Sequence, residues 1–595
     1  MLFALKRMSA TGLIVISLSF ALHQAAHARE TGKKENQVAI EMKSHLGSYM
    51  AGRLARSIHD SSQAVAFYRQ ALRSSPDNPR IMTRAFLSEA MHGNFAEADS
   101  ISRRLVAMQP DNRLAQLWLG TTEFRSGRYA AADKNFQLAA RDPISELTSQ
   151  LARAWVSLAR NRQKEALRRL LPSVNRAWSA YYIQYHRALI ADLSKRPSEA
   201  REIYRQIFRA DARTPRTTAA YIRHAIHRGS YTLAGRTARR HMQISSNGGH
   251  ASIAALFEDV KAGNKVKLMV QAPHDGLAEV FYGLGEALIS EGGLELGTIY
   301  MQMALSLKPD FPFALAALAN AHEATQNYSS AIAVYDSIRA GTPLEMEIAI
   351  RKAINLDAMG ETDQAKQILD SIITANPSKT RPLEAMGNML RTSKRYGEAI
   401  KYYSRLIKLV PKAEKRHWTY WYARGTSYER IKQWTKAEAD LLRALELDPD
   451  QALILNYLGY SWVDQRVNLQ RAFKMIEKAV ALKPDDGYIV DSLGWAHYRL
   501  GNFDQAVIHL ERAVELKPED PILNDHLGDA LWQVNRIREA RYQWELALSL
   551  KPEVEEAVKI RKKLISGLQP QSDIKTAEQK VKRAANESGQ IQPVR

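Results

Sequence analysis

Four histidines are the first residues in this sequence that could bind a metal. His224 and His227 stand three apart in a segment whose pattern predicts a helix, with His241 and His250 downstream. Imidazoles one helical turn apart can share a metal ion. Arg223, Arg228, Arg236, Arg239 and Arg240 lie among them, however, and their charge opposes a bound cation, so no metal site is assigned. Gly283 and Gly285 in FYGLGEAL lack the third glycine of a dinucleotide-binding turn, and no cofactor is expected. The sequence contains no Walker loop, no Gly-x-Ser-x-Gly elbow and no His-Glu-x-x-His. Paired carboxylates such as Glu555 and Glu556 are ordinary on a solvated helix. With no cysteine, thiol catalysis and cysteine-ligated metals are excluded. These absences read as a non-catalytic chain.

The elements that would position a binding surface come from a repeat. At 595 residues with 45% hydrophobic and 25% charged content, the chain is too long for one compact core and has globular composition. A 34-residue period runs through Ala64, Ala98, Ala132, Ala166, Ala200 and Ala234, and again through Pro309, Pro343, Pro377 and Pro411. After short insertions it continues at Pro449, Pro484, Pro518 and Pro552. Within a unit the markers keep constant offsets: Leu493, Gly494, Ala506, Leu510, Ala513, Pro518, then Leu527, Gly528, Ala540, Trp544, Ala547, Pro552. Ala506, Leu510 and Ala513 share one helical face, and Gly494 is the small residue of the helix before it, so each unit is two closely packed helices. The proline disfavours helix in the residue before it and ends the pair. One pair cannot cover its own apolar faces, so pairs must stack.

This spacing resembles that of tetratricopeptide repeats, and Trp421, Gly425, Tyr428, Ala437, Ala444 and Pro449 match the family pattern. The resemblance implies an all-α superhelical solenoid of about fourteen helix pairs, in one or two arrays with a C-terminal capping helix. The expected order is a signal peptide (1–28), a lead-in (29–44), a basic N-terminal array (45–246), a hinge or degenerate repeat (247–274), a C-terminal array (275–552), a capping helix (553–568) and a disordered tail (569–595). The signal peptide rests on Lys6 and Arg7 before an apolar run from Leu13 to Leu22, then Ala26-His27-Ala28 as a cleavage pattern. An uncleaved anchor is the alternative, although the run is shorter than the ~20 residues that span a bilayer. Cleavage, with no cysteine to carry a lipid, points to a periplasmic protein, and peripheral membrane association stays open.

Two surfaces are candidates for binding. Between Arg141 and Arg240 there are 21 Lys and Arg against 7 Asp and Glu, which accounts for most of the net +21. Arg153, Arg168, Arg169, Arg205, Arg236, Arg239 and Arg240 mark this basic surface, suited to an acidic protein, an anionic lipid or a glycan, or simply solvated. The family's groove positions fall on Tyr422, Arg430, Asn456, Tyr460, Asp491, Trp495, Tyr498, Asp525 and Trp532. Such aromatics with interspersed polar groups suit peptide anchoring, though each could equally pack between repeats. The Lys and Asn pattern of the family's carboxylate clamp is absent. NYLGYSWVD from Asn456, GYIVDSLGWAHYRLGN from Gly487 and NDHLGDALW from Asn524 resemble the last repeats of large proteobacterial envelope tetratricopeptide proteins. Among those are outer-membrane lipoproteins that act as adaptors of carboxyl-terminal-processing proteases. The implied partners are one or more envelope proteins, with a periplasmic protease among the candidates. Anionic lipid or glycan is the alternative, and nucleic acid is disfavoured.

Overall fold

The computed structural model describes residues 45–58, 60–171, 177–245 and 249–568. The signal-peptide, lead-in and tail assignments lie outside these residues. Among the described residues there are 30 α-helices and no strand. They form fourteen pairs, with one extra helix, Ala251–Ala262, between the sixth and seventh pairs and one closing helix, Val554–Ser566. The fold is therefore all-α and built as the repeat predicts. The chain divides into two compact units between Ser149 and Gln150, inside the helix Pro143–Ala159. The stretch 247–274 holds the helix Ala251–Ala262, whose Ile253 and Leu256 pack with Ile222, Ala225 and Ala238.

Each sequence marker has a packing role. The six alanines of the N-terminal period are all buried, because a larger side chain there would hold the two helices of a pair apart. In several pairs a glycine of the first helix meets a large residue sixteen positions on. A Cβ added at Gly494 would stand 2.6 Å from Leu510, one at Gly528 2.5 Å from Trp544, and one at Gly120 2.6 Å from Phe136. No real Cβ tolerates such distances, so these glycines set the spacing of the pair.

The turn between the two helices carries a period that the side chains conceal. Gly93, Gly127, Asn161, Lys195 and Gly229 all have φ between 57° and 79° and stand 34 residues apart. Gly292, Gln326, Gly360 and Lys394 repeat the pattern. This left-handed residue stops the first helix and aims the chain into the second. Glycine adopts it freely, whereas Lys195 carries a steric cost there.

Candidate functional site

The predicted groove residues sit on the first helices of the last four pairs: Trp418–Arg430, Ala452–Asp464, Gly487–Arg499 and Pro521–Gln533. At one end Tyr422 lies edge-on to Trp418 and Tyr457, at 5.6 and 5.7 Å. The Tyr457 hydroxyl donates to Glu429 at 3.1 Å, and exposed Arg430 has its Nε 3.7 Å from the same carboxylate. Tyr422, Asn456, Tyr460, Trp495 and Trp532 are half-buried. The buried Oδ1 of Asn456 has no hydrogen-bond partner among the described residues. Burial raises the Tyr460 hydroxyl above its ordinary range.

Asp491, Tyr498 and Asp525 are buried and tie neighbouring helices together. Trp495 is stacked between Tyr498 and His526, with ring centroids 4.7 and 4.0 Å away. The His526 Nδ1 is 2.9 Å from Asp491. Burial alone would lower the His526 pKa, but the Asp491 carboxylate outweighs it and the net shift is upward. One turn apart on Pro521–Gln533, Asp525 and Asp529 both accept from Lys563 Nζ, at 2.8 and 2.7 Å. Asp529 also accepts from the Trp544 indole N–H at 3.0 Å. Burial pushes the Asp529 carboxyl up to about 6 against the pull of Lys563. Lys563 belongs to the closing helix Val554–Ser566, which therefore covers part of this face. Gly567, just beyond it, lies so close to Trp532 that a Cβ would overlap the indole. The arrangement offers flat aromatic surfaces and carboxylates, which suits binding of an extended or helical peptide.

A second face of first helices, in Ala177–Leu193, Pro215–His227 and the part of Pro143–Ala159 from Gln150 on, is filled by the chain itself. Helix Pro273–Ser290 lies against it. A Cβ on Gly276 would overlap the Trp155 ring, and the Trp155 indole N–H donates to His186 Nδ1 at 3.1 Å. Glu279 accepts from the Tyr185 hydroxyl at 3.4 Å and from Arg216 Nε at 3.0 Å, with a second contact to the guanidinium. The guanidinium also sits 4.5 Å from the centre of the Phe313 ring and 5.1 Å from that of Phe311. Residues 276–282 are buried without a break, so over these turns the helix is core on every side.

The basic residues lie elsewhere. Arg168, Arg205, Arg236, Arg239 and Arg240 are exposed, Arg153 and Arg169 half-buried; all but Arg153 belong to second helices. Arg169 pairs with Glu165 at 2.8 Å and Arg205 with Glu202 at 2.6 Å. The histidines serve packing: His224 holds Asp192 at 2.7 Å, His241 Nδ1 lies 2.9 Å from the Ala212 carbonyl, and the His250 ring accepts from the Ser252 N–H at 3.2 Å. Exposed His227 ends its helix.

Sequence reasoning did not single out His526, Asp529, Lys563, Arg216 or Glu279. The i, i+4 pair of aspartates facing a lysine-rich closing helix was a readable signal. The Arg216–Glu279 pair, sixty-three residues apart, breaks the repeat and left none.

Tetratricopeptide-repeat family models match residues 83–143, 418–451 and 490–520. A TPR repeat-containing protein of Pseudomonas aeruginosa is 31% identical over 155 residues, which is 25% of this chain and 24% of that protein. A protein O-mannosyl-transferase of Mus musculus is 24% identical over 147 residues, 24% of this chain and 16% of that one. The matches thus span a quarter or less of the length of these curated relatives. Among solved structures, yeast Tom70 is similar at 14% identity and a TM-score of 0.33, over 92% of this chain and 99% of its own. YrrB, a TPR protein with an unusual peptide-binding site, is similar at 18% identity and a TM-score of 0.26, over 33% and 97%. The helix pairs within residues 83–143, 418–451 and 490–520 are recognised as tetratricopeptide repeats, and these stretches fall in both compact units.

Proposed function

We infer that the chain is a non-catalytic scaffold or adaptor that binds proteins, exported to the periplasm, with its C-terminal repeats as the working surface. The observation carrying this reading is the difference between its two faces. Helix Pro273–Ser290 fills one with continuous core, whereas half-buried Tyr422, Asn456, Tyr460 and Trp495 still reach solvent on the other. Partly exposed aromatics beside unspent polar groups are what a peptide anchor requires. An envelope protein, with a periplasmic protease as first candidate, is the expected partner, and the adaptor would hold it while presenting its substrates. Capture from envelope extract by the mature chain tests this. Recovery of a protease or assembly enzyme, lost on Trp495→Ala, supports the reading, and recovery unaffected by that change removes the groove from it.

A second reading rests on the exposed Arg168, Arg236, Arg239 and Arg240, whose side chains carry positive charge into solvent from second helices. Such a face attracts anionic envelope lipid or glycan. Binding to vesicles containing phosphatidylglycerol that survives reversal of these four charges would eliminate it.

A further inference from the structure

The closing helix occupies a site on the last repeat that it is poorly suited to hold permanently. Only Ala557 and Ile560 are buried along its thirteen residues, while Val554, Val558 and Ile565 are 81%, 59% and 86% exposed. It is anchored by Ile560 in the apolar core of the last pair and by an ion pair. Asp525 and Asp529 lie inside the protein one turn apart, with Asp491 beyond them on His526, and Lys563 is the cation shared by the first two. Two buried carboxylates at that spacing require a cation, since neither stays ionised cheaply without one. Trp532 forms the floor beside them, with Gly567 pressed on its ring.

We propose that helix Val554–Ser566 is an intramolecular stand-in for a ligand, and that this acidic, aromatic site takes a lysine-bearing amphipathic helix of a partner protein in its place. The inference rests on the groove reading above and names the chemistry of its partner. Any such helix would set its ammonium between Asp525 and Asp529 and its apolar residues where Ile560 and Leu564 now lie. The tethered helix competes at an effective concentration in the ~mM range, so it sets the affinity a partner must exceed.

The test uses the full chain and a fluorescent peptide of residues 553–568, read by anisotropy. Gly567 has φ 69° and ψ −174°, a conformation essentially restricted to glycine. Gly567→Ala therefore loosens the closing helix without touching a charge, which hydrogen exchange over residues 554–566 verifies. The variant is expected to bind the peptide about tenfold more tightly than the parent, equivalent to about 1.4 kcal/mol. The gain should vanish when Asp525→Asn and Asp529→Asn are added, and with a peptide carrying Lys563→Ala. Equal binding by parent and loosened variant, no binding by either, or indifference to the two aspartates would each overturn the proposal. Envelope-protein capture by the parent chain reads the groove assignment separately. Capture without peptide binding removes only the displacement, whereas peptide binding without capture removes the broader reading.

Discussion

Two helices of this chain contact first helices of repeats outside their own pair, and they do so in opposite ways. Pro273–Ser290 is buried all round from Gly276 to Tyr282 and fixed by a largely buried Arg216–Glu279 pair with aromatic rings around the guanidinium. Val554–Ser566 buries two residues and leaves an apolar stripe in solvent, and its polar tie is Lys563 to two aspartates. Amphipathicity separates the roles. A helix buried all round through its middle turns cannot leave its groove without exposing that core, whereas one held by a cation can exchange with another that brings the same charge.

The sharpest way to break the comparison is to remove one partner of the first pair. Glu279→Ala leaves Arg216 without its carboxylate and should destabilise the second compact unit by about 3–5 kcal/mol, measured as a fall in the urea midpoint. A loss under about 1 kcal/mol, the range of an exposed pair, would mean that solvent reaches the guanidinium and that the helix is not core.

Acid should act on the two regions with opposite sign. His186 is buried beside Trp155, and burial pulls its pKa down to about 3. The unfolded chain takes up that proton near 6.5, so the stability His186 contributes is present above 6.5 and lost as pH falls toward 3, at about 1.4 kcal/mol per unit. In the second region His526 is raised and Asp529 is raised to about 6. Their contributions are present at low pH, Asp529 losing its share as pH rises from about 4 to 6 and His526 above about 6.5. Hydrogen exchange between pH 4.5 and 7.5 should show protection over 177–193, the helix of His186, rising with pH and protection over 521–533 falling. Parallel trends would refute the assignment.

Lys563→Ala should cost about 1–3 kcal/mol, and the loss should appear as local opening of residues 554–566 rather than as a shift of the global midpoint. The helix has few buried groups to hold it once the cation is gone. A global shift of the same size would make the closing helix part of the core, like Pro273–Ser290.

Much of the architecture was legible because a repeat prints its packing into spacing. Ala506, Leu510 and Ala513 had to share a face, and Gly494 had to admit Leu510, whatever the rest of the chain did. The period of left-handed turn residues was hidden because Gly93, Asn161 and Lys195 share a backbone angle but not a side-chain type. The groove positions carried over from the family fall on the expected helices, yet their surroundings could not be read. Asp525 is covered because it accepts from Lys563, a residue outside the repeat. The same holds for Pro273–Ser290, whose small and apolar residues follow the repeat while their contact with Trp155 and Arg216 comes from a fold-back that no periodicity encodes.

The smallest expected effect concerns the exposed stripe of the closing helix. Ile565 is 86% exposed, so Ile565→Ser removes little apolar burial and should change stability by less than about 0.5 kcal/mol, with protection of residues 554–566 unaltered. In Pro273–Ser290 the equivalent change, Val280→Ser, falls on a fully buried side chain and should cost about 2 kcal/mol or more. If Ile565→Ser instead opens the closing helix, that stripe is covered in the intact protein, and Val554–Ser566 would be a second core helix rather than a replaceable one.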